Sequence, residues 1–328
     1  MFDTFRQQLS EACPPTPAFT EKDVSDLSGK VYLITGATAG IGLSLAGILY
    51  SKNARIYMPT RSPASYEKAV AHLTSTYPDS KGSTHYLALD LSDLRTIKPA
   101  VSTLLAAESV LHTAFYNAGV MNTPRDKHTA QDHELQWGTN VLGHFLLNKL
   151  LTPLLVHSAS VLPTDTVRTV WVSSDGNGFA PGSDGGINWA DPDDRAGKLS
   201  RWNLYGQSKA ADIILGYENA QRLGDKGVLS LALNPGHLKS DLVKHTNPIA
   251  VSLTSWMLYE PRFGALTELF AGFTDQVSTK KEGSNGSYII PWGRLGGSPR
   301  KDVREGYELH GTGARLWEMC EKEVKDFA

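Results

Sequence analysis

The feature that most constrains this chain is a glycine-rich turn caught between a strand and a helix. Val31 to Thr35 reads VYLIT, a short apolar run of the kind that forms a buried strand. Thr35-Gly36-Ala37-Thr38-Ala39-Gly40-Ile41-Gly42 follows at once, and GLSLAGILY then takes up helical spacing. Gly36 permits a tight turn, Gly40 leaves room where backbone must approach a pyrophosphate, and Gly42 lets helix and strand pack closely. The helix N-terminus offers free N–H groups to an anion. A lone glycine pattern is weak evidence; here it has the strand–turn–helix setting that phosphate binding requires.

The same alternation continues down the chain. ARIYMP, THYLALD, LHTAFYNAG, VRTVWVSS and GVLSLALNPG read as strands two to six. Between them lie helical patterns, including SPASYEKAVAHLTSTY, DLRTIKPAVSTLLAAE, a long apolar helix from about Asp132 to His157, and Trp202 to Leu223. Strands alternating with helices predict a doubly wound parallel α/β sheet, helices on both faces, as a single domain. Residues 1–27 read as an N-terminal arm and 28–243 as the dinucleotide-binding core. Residues 244–328 break the rhythm and read as a C-terminal substrate-pocket extension of the same domain.

Bulk properties narrow the class. Of 328 residues, 41% are hydrophobic and 20% charged, and the net charge is -2. That composition suits a large core, and the charge gives no reason to expect nucleic acid as a partner. No stretch approaches the ~18 apolar residues of a membrane span. The N-terminus lacks a signal peptide's apolar run, and no Cys/His cluster has metal-ligand spacing, so a metal is not expected. Two cysteines, Cys13 and Cys320, fit a reducing compartment, and the expected location is the cytoplasm.

Further candidates fall at strand ends. The second strand closes on Thr60-Arg61, with no carboxylate where the adenosine ribose is met. A guanidinium there suits a 2′-phosphate, so NADP(H) is the expected cofactor. Its competing reading is a solvated surface arginine. Asp90-Leu91 ends the third strand and offers an adenine edge. Asn117-Ala118-Gly119 ends the fourth, where small residues let backbone pass the cofactor; Asn117 also suits a structural cross-link between strands. Ser173-Ser174 ends the fifth, and adjacent strand residues face opposite ways, so either hydroxyl is a candidate. Tyr205 and Lys209 share a helical face at i,i+4. An ammonium beside a phenol favours the phenolate and lowers a pKa otherwise near 10.

Taken in order, Thr-Gly-x-x-x-Gly-Ile-Gly, Asn-Ala-Gly, Ser-Ser, Tyr-x-x-x-Lys and Pro-Gly resemble the short-chain dehydrogenase/reductase family over residues 28–243. The resemblance implies a Rossmann fold and oxidoreductase chemistry on a small carbonyl or alcohol. It gives Ser174 the substrate oxygen, Tyr205 the acid/base role, and Lys209 both the lowering of that tyrosine's pKa and the nicotinamide ribose. Asn140, in QWGTNVLGHFLL, resembles the residue that holds a water in the proton relay. Asn234-Pro235-Gly236-His237-Leu238-Lys239-Ser240 resembles the nicotinamide loop, with Pro235, Gly236, Leu238 and Ser240 as contacts; Ser240 stands where Thr is usual. The stretch GGINWADPDD, the ending YIIPWGR and the opening FTEKDVSDLSGK resemble the retinol-dehydrogenase-like branch and its fungal secondary-metabolism reductases. Asp175-Gly176-Asn177 stands where that branch often has histidine, so retinoid chemistry does not carry over. Family members are often dimers or tetramers, so a homodimer is one expectation; the C-terminal extension is placed to cover the usual interface. The competing function is a repurposed NADP(H) binder, either a cyclase, an isomerase or a non-catalytic scaffold.

Overall fold

Strand β1 (Val31–Ile34) alternates its side chains between two buried layers, and that alternation sets the architecture. Val31 and Leu33 enter one core, Tyr32 and Ile34 the other. A strand buried on both sides needs helices on both sides. The computed structural model, which describes residues 7, 9–182, 184–239 and 258–328, supplies them. Strands β2 (Arg55–Thr60), β3 (Ser83–Ala88), β4 (Thr113–Tyr116), β5 (Arg168–Val172), β6 (Leu229–Leu233) and β7 (Tyr288–Ile289) join β1 in the order β3-β2-β1-β4-β5-β6-β7. Every pairing is parallel.

Helices α1 (Gly40–Ser51) and α2 (Pro63–Thr76) cover one face. Helices α3 (Ile97–Ala107), α4 (His144–Val161) and α5 (Arg201–Leu223) cover the other. Strand order reverses between β1 and β4. At that reversal the crossovers leave in opposite directions and open a crevice at the carboxyl ends of the strands. The ends of β1, β4, β5 and β6 all border it.

Two sequence expectations change. The long helix expected from Asp132 is wound wider over Trp137–Gly143, as a π turn, before α4 begins at His144. Gly143 explains part of this: a Cβ there would stand 2.5 Å from the Leu91 carbonyl oxygen, so the chain runs hard against the end of β3. The fourth strand stops at Tyr116, and Asn117-Ala118-Gly119 has already left the sheet.

The chain's two ends are built onto this core. The C-terminal residues are built into the same sheet and layers. Helix α6 (Pro261–Phe273) buries Ala265, Leu266, Leu269 and Phe270 beside α1, and β7 extends the sheet. Helix α7 (Lys301–Leu309) packs on α5, as does α8 (Thr312–Val324), which buries Leu316, Trp317 and Cys320. The nicotinamide loop is met by the start of α6, where Gly264 lies against Leu238 and Pro235, and also by Tyr259 and Trp292. Of the stretch Pro248 to Tyr259 in that extension, only Leu258 and Tyr259 are among the described residues. The N-terminal arm is docked: Val24 and Leu27 are core residues and Phe19 packs edge-on against Phe270.

Glu268, in the middle of α6, is fully buried, and among the described residues neither carboxyl oxygen has a hydrogen-bond partner. Burial pushes its pKa up to about 8. The folded chain therefore holds a proton that the unfolded chain releases above about pH 4.5, and stability falls as pH rises from there to about 8. Glu268→Gln removes this dependence. Its melting-temperature advantage over the native protein should be larger at about pH 8 than at about pH 5, at up to ~1.4 kcal/mol per pH unit. An equal advantage at both pH values would show that the carboxyl does not hold its proton.

Candidate active site

The glycine turn has the shape its sequence requires. Gly36 and Gly40 adopt φ of 70° and 55°, the left-handed region that favours glycine. A Cβ on Gly40 would meet nothing within 4 Å, so the backbone there borders open space. A Cβ on Gly42 would lie 2.5 Å from Asn117 Nδ2 and 2.6 Å from the Gly36 oxygen, so that glycine is forced by packing. Ala39, at the N-cap of α1, gives no side-chain hydrogen bond, and the first N–H groups remain for an anion. Thr38 and Ile41 stand half-buried on this turn. These features fit a dinucleotide's pyrophosphate.

Thr35 and Asn117 stitch β1 to β4 at the reversal of strand order. Asn117 Nδ2 donates to the Thr35 carbonyl at 2.8 Å, and Ala118 N donates to the Thr35 hydroxyl at 2.9 Å. The cross-link expected for Asn117 is thus present. Gly119 follows, with its Cβ position 3.6 Å from Lys209 Nζ. Arg61 is exposed at the end of β2, and among the described residues no ion pair engages it. The Asp90 carboxylate accepts from the amide and hydroxyl of Ser92, which closes the turn after β3, and Leu91 packs beneath.

Adjacent serines at the end of β5 do face opposite ways. Ser173 is buried and donates to the Lys209 carbonyl at 2.7 Å, which ties β5 to α5. Ser174 opens on the crevice, donates to Asp175 Oδ1 at 3.0 Å and accepts from Gly176 N at 3.0 Å. The Tyr205 ring stands over Gly176, where a Cβ would approach to 2.6 Å. Burial pushes the Tyr205 pKa up, while the Lys209 charge and the neighbouring Ser174 hydroxyl pull it down without overcoming burial. The sequence reading expected a net lowering; the phenol is too deeply buried for that.

Lys209 Nζ lies 5.9 Å from the Tyr205 ring centroid. It donates to the Val172 carbonyl at 2.9 Å and to Asp212 Oδ2 at 2.8 Å. Burial works against the Lys209 charge but Asp212 outweighs it, so the ammonium is retained. Burial holds the Asp212 carboxyl at about 6, Lys209 notwithstanding. Asn140 joins the group from the π turn. Its Oδ1 accepts from Val120 N at 2.9 Å, and its Nδ2 donates to the Val120 carbonyl and to Ser208 Oγ, each at 3.0 Å. The Asn140 carbonyl accepts from His144 Nδ1 at 3.0 Å. Pro235 and Leu238 are buried behind the loop after β6, and Gly236 is half-buried there. Ser240 lies outside the described residues.

A chain similar over nearly its whole length occurs in the fungus Phomopsis amygdali. That short-chain dehydrogenase/reductase is 39% identical over 334 residues, which span 99% of this chain and 98% of its own. This chain belongs to the short-chain dehydrogenase/reductase family. The short chain dehydrogenase model matches residues 30–171. A short-chain dehydrogenase/reductase of Emericella nidulans, pkfC, is 37% identical over 95% of this chain and 97% of its own. An uncharacterised Mycobacterium paratuberculosis protein of known crystal structure superposes with a TM-score of 0.69 at 26% identity, over 94% of this chain and 97% of its own.

Family membership draws attention to what the motifs passed over. Asp212 is one such residue, at i+3 from Lys209 on the buried face of α5. An acidic side chain one turn beyond a buried lysine was the available signal. Asp175 and His237 form another pair, with His237 Nε2 2.5 Å from Asp175 Oδ2. They are 62 residues apart, and no spacing rule joins them.

The Asp212 charge raises the Tyr205 pKa. Asp212→Asn should therefore lower it, seen as an earlier tyrosinate signal when the difference titration is run against the same variant carrying Tyr205→Phe. An unmoved titration would mean the ring does not sense that carboxylate.

Proposed function

We propose that the protein is an NADP(H)-dependent oxidoreductase acting on a ketone or secondary alcohol, with Ser174, Tyr205 and Lys209 as its proton relay. One juxtaposition carries this reading. A tyrosine, an outward-facing serine and a buried ammonium meet at the carboxyl edge of the sheet, the edge that also carries the open glycine turn at Gly40. Bound NADP(H) supplies or accepts the hydride at the carbon.

On this reading Ser174 holds the substrate oxygen, turning its hydroxyl from Asp175 to do so. Tyr205 passes a proton to that oxygen in reduction and takes one in oxidation. Lys209 has two of its three donors engaged within the protein, and the third serves the nicotinamide ribose. Asn140 keeps the loop at Val120 in register and contributes to the proton path. Thr35, Gly36, Thr38, Gly40, Ile41 and Gly42 hold the pyrophosphate. Asp90 and Leu91 border the adenine. Asn117, Ala118 and Gly119 line the middle of the cofactor, and Pro235, Gly236 and Leu238 serve the nicotinamide end, to which the family resemblance also assigns Ser240.

The preference for NADP(H) rests on Arg61, exposed and without an acidic competitor at the end of β2. A secondary-metabolite substrate is supported by likeness to fungal members of the family. A homodimer working in the cytoplasm follows the family's usual arrangement.

The test is single-turnover hydride transfer from deuterated NADPH to a ketone found by screening aromatic and polyketide-like compounds. General acid–base catalysis contributes about 10²–10⁴-fold, and Tyr205→Phe should lose that much while binding NADPH nearly as well. Transfer at the native rate would end the acid/base assignment and favour a repurposed cofactor binder.

Arg61→Asp should weaken NADPH binding and leave NADH binding little changed. Equal native affinity for the two cofactors would refute the role of Arg61.

A further inference from the structure

The N-terminal arm precedes the stretch matched by the family model, yet one of its carboxylates is buried at the catalytic end. Glu11 is 8% exposed. Its Oε1 accepts from Gln7 Nε2 at 2.5 Å and its Oε2 from Asn234 Nδ2 at 2.7 Å. Burying a carboxylate is costly unless its oxygens are hydrogen-bonded, and here both are. The arm is held in place by other contacts. Arg294 donates to Ser10 Oγ at 2.7 Å and to the Ser10 carbonyl at 2.8 Å, and Gln7 exchanges hydrogen bonds with Ser298.

From Glu11 an unbroken path leads to Ser174. Asn234, 1% exposed, accepts from Gly236 N through Oδ1 at 2.9 Å. That bond fixes the turn on which His237 stands. His237 pairs with Asp175 Oδ2, and Asp175 Oδ1 accepts the Ser174 hydroxyl. Gly236 has φ of 90°, and a Cβ there would come within 2.6 Å of Trp292. The turn thus has an indole against one side and the arm's carboxylate under its asparagine.

We infer that Glu11 is a positioning residue of the active site: it holds Asn234, sets the turn from Asn234 to His237, and through the His237–Asp175 pair keeps Asp175, and with it the neighbouring Ser174, in place. The arm is then part of the catalytic apparatus. The consequence for turnover rests on the reductase reading above; the consequence for the turn does not.

Hydrogen–deuterium exchange on the full chain tests the turn, and steady-state kinetics tests its effect. In Glu11→Ala, amides at Gly236 and His237 should exchange at least about tenfold faster, while β1 and β5 exchange as before. For a ketone the native protein reduces, kcat should fall by about tenfold to a hundredfold, and the KM for NADPH should change far less. Glu11→Gln keeps one oxygen acceptor, so it should recover part of both effects; it also serves if the alanine variant does not fold. Unchanged exchange at the turn in both variants would overturn the inference. So would an equal rise across the turn, β1 and β5, which marks general loosening. Faster exchange with native kcat would disprove the link to Ser174. If the native protein reduces no ketone, the reductase reading fails, and the exchange data still decide whether Glu11 holds the turn.

Discussion

Lys209 is 4% exposed, and the elements around its ammonium must compensate for that charge. A buried cation persists only when its donors are satisfied and a counter-charge is near. The last residue of β5 supplies a carbonyl, and the next turn of α5 supplies Asp212. Ser173 returns a hydrogen bond to the Lys209 carbonyl, so strand and helix are locked at the same point. The ammonium keeps Tyr205 from drifting further toward an inert phenol, although burial still prevails over it. Truncating Lys209 would strand the Asp212 carboxylate, so the same residue answers for both folding and reactivity.

A second constraint lies where strand order reverses. The Thr35 hydroxyl accepts from Ala118 N and lies 3.0 Å from His144 Nε2. Burial lowers the His144 pKa to about 3, so the ring is neutral. Its Nδ1 faces the Asn140 carbonyl and must carry the proton, which leaves Nε2 to accept from Thr35. This network joins β1, the end of β4 and the start of α4 without placing a charge there. It also holds the π turn that carries Asn140. Regular α-helix from Asp132 would put Asn140 on a different bearing, and its contacts with Val120 and Ser208 depend on the wider winding.

The chain's two ends show where sequence patterns lose force. Residues 1–27 have no clear period, because the arm is held by single side chains reaching distant partners, such as Glu11 to Asn234 across 223 residues. The C-terminal segment reads as an appendage because β7 is only two residues long and α7 and α8 carry narrow apolar stripes. Strand β7 is recognisable only by its neighbour, through the pairs Ala232↔Tyr288 and Leu233↔Ile289.

The sequence by itself determined the doubly wound parallel sheet, the glycine turn after β1, and Ser174, Tyr205 and Lys209 as candidates; Asn140 became one only through the family resemblance. Those features are local: a strand's alternation, a turn's need for positive φ, and a helix's i,i+4 face are written in neighbouring residues. Tertiary structure decided which serine faces the crevice, how far burial resists the lowering of Tyr205, that Asp212 neutralises Lys209, and that Glu11, His237 and Asp175 reach the same site. Each of those depends on a distance between residues far apart in the chain or on a degree of burial, and both arise only when the sheet closes and its layers pack.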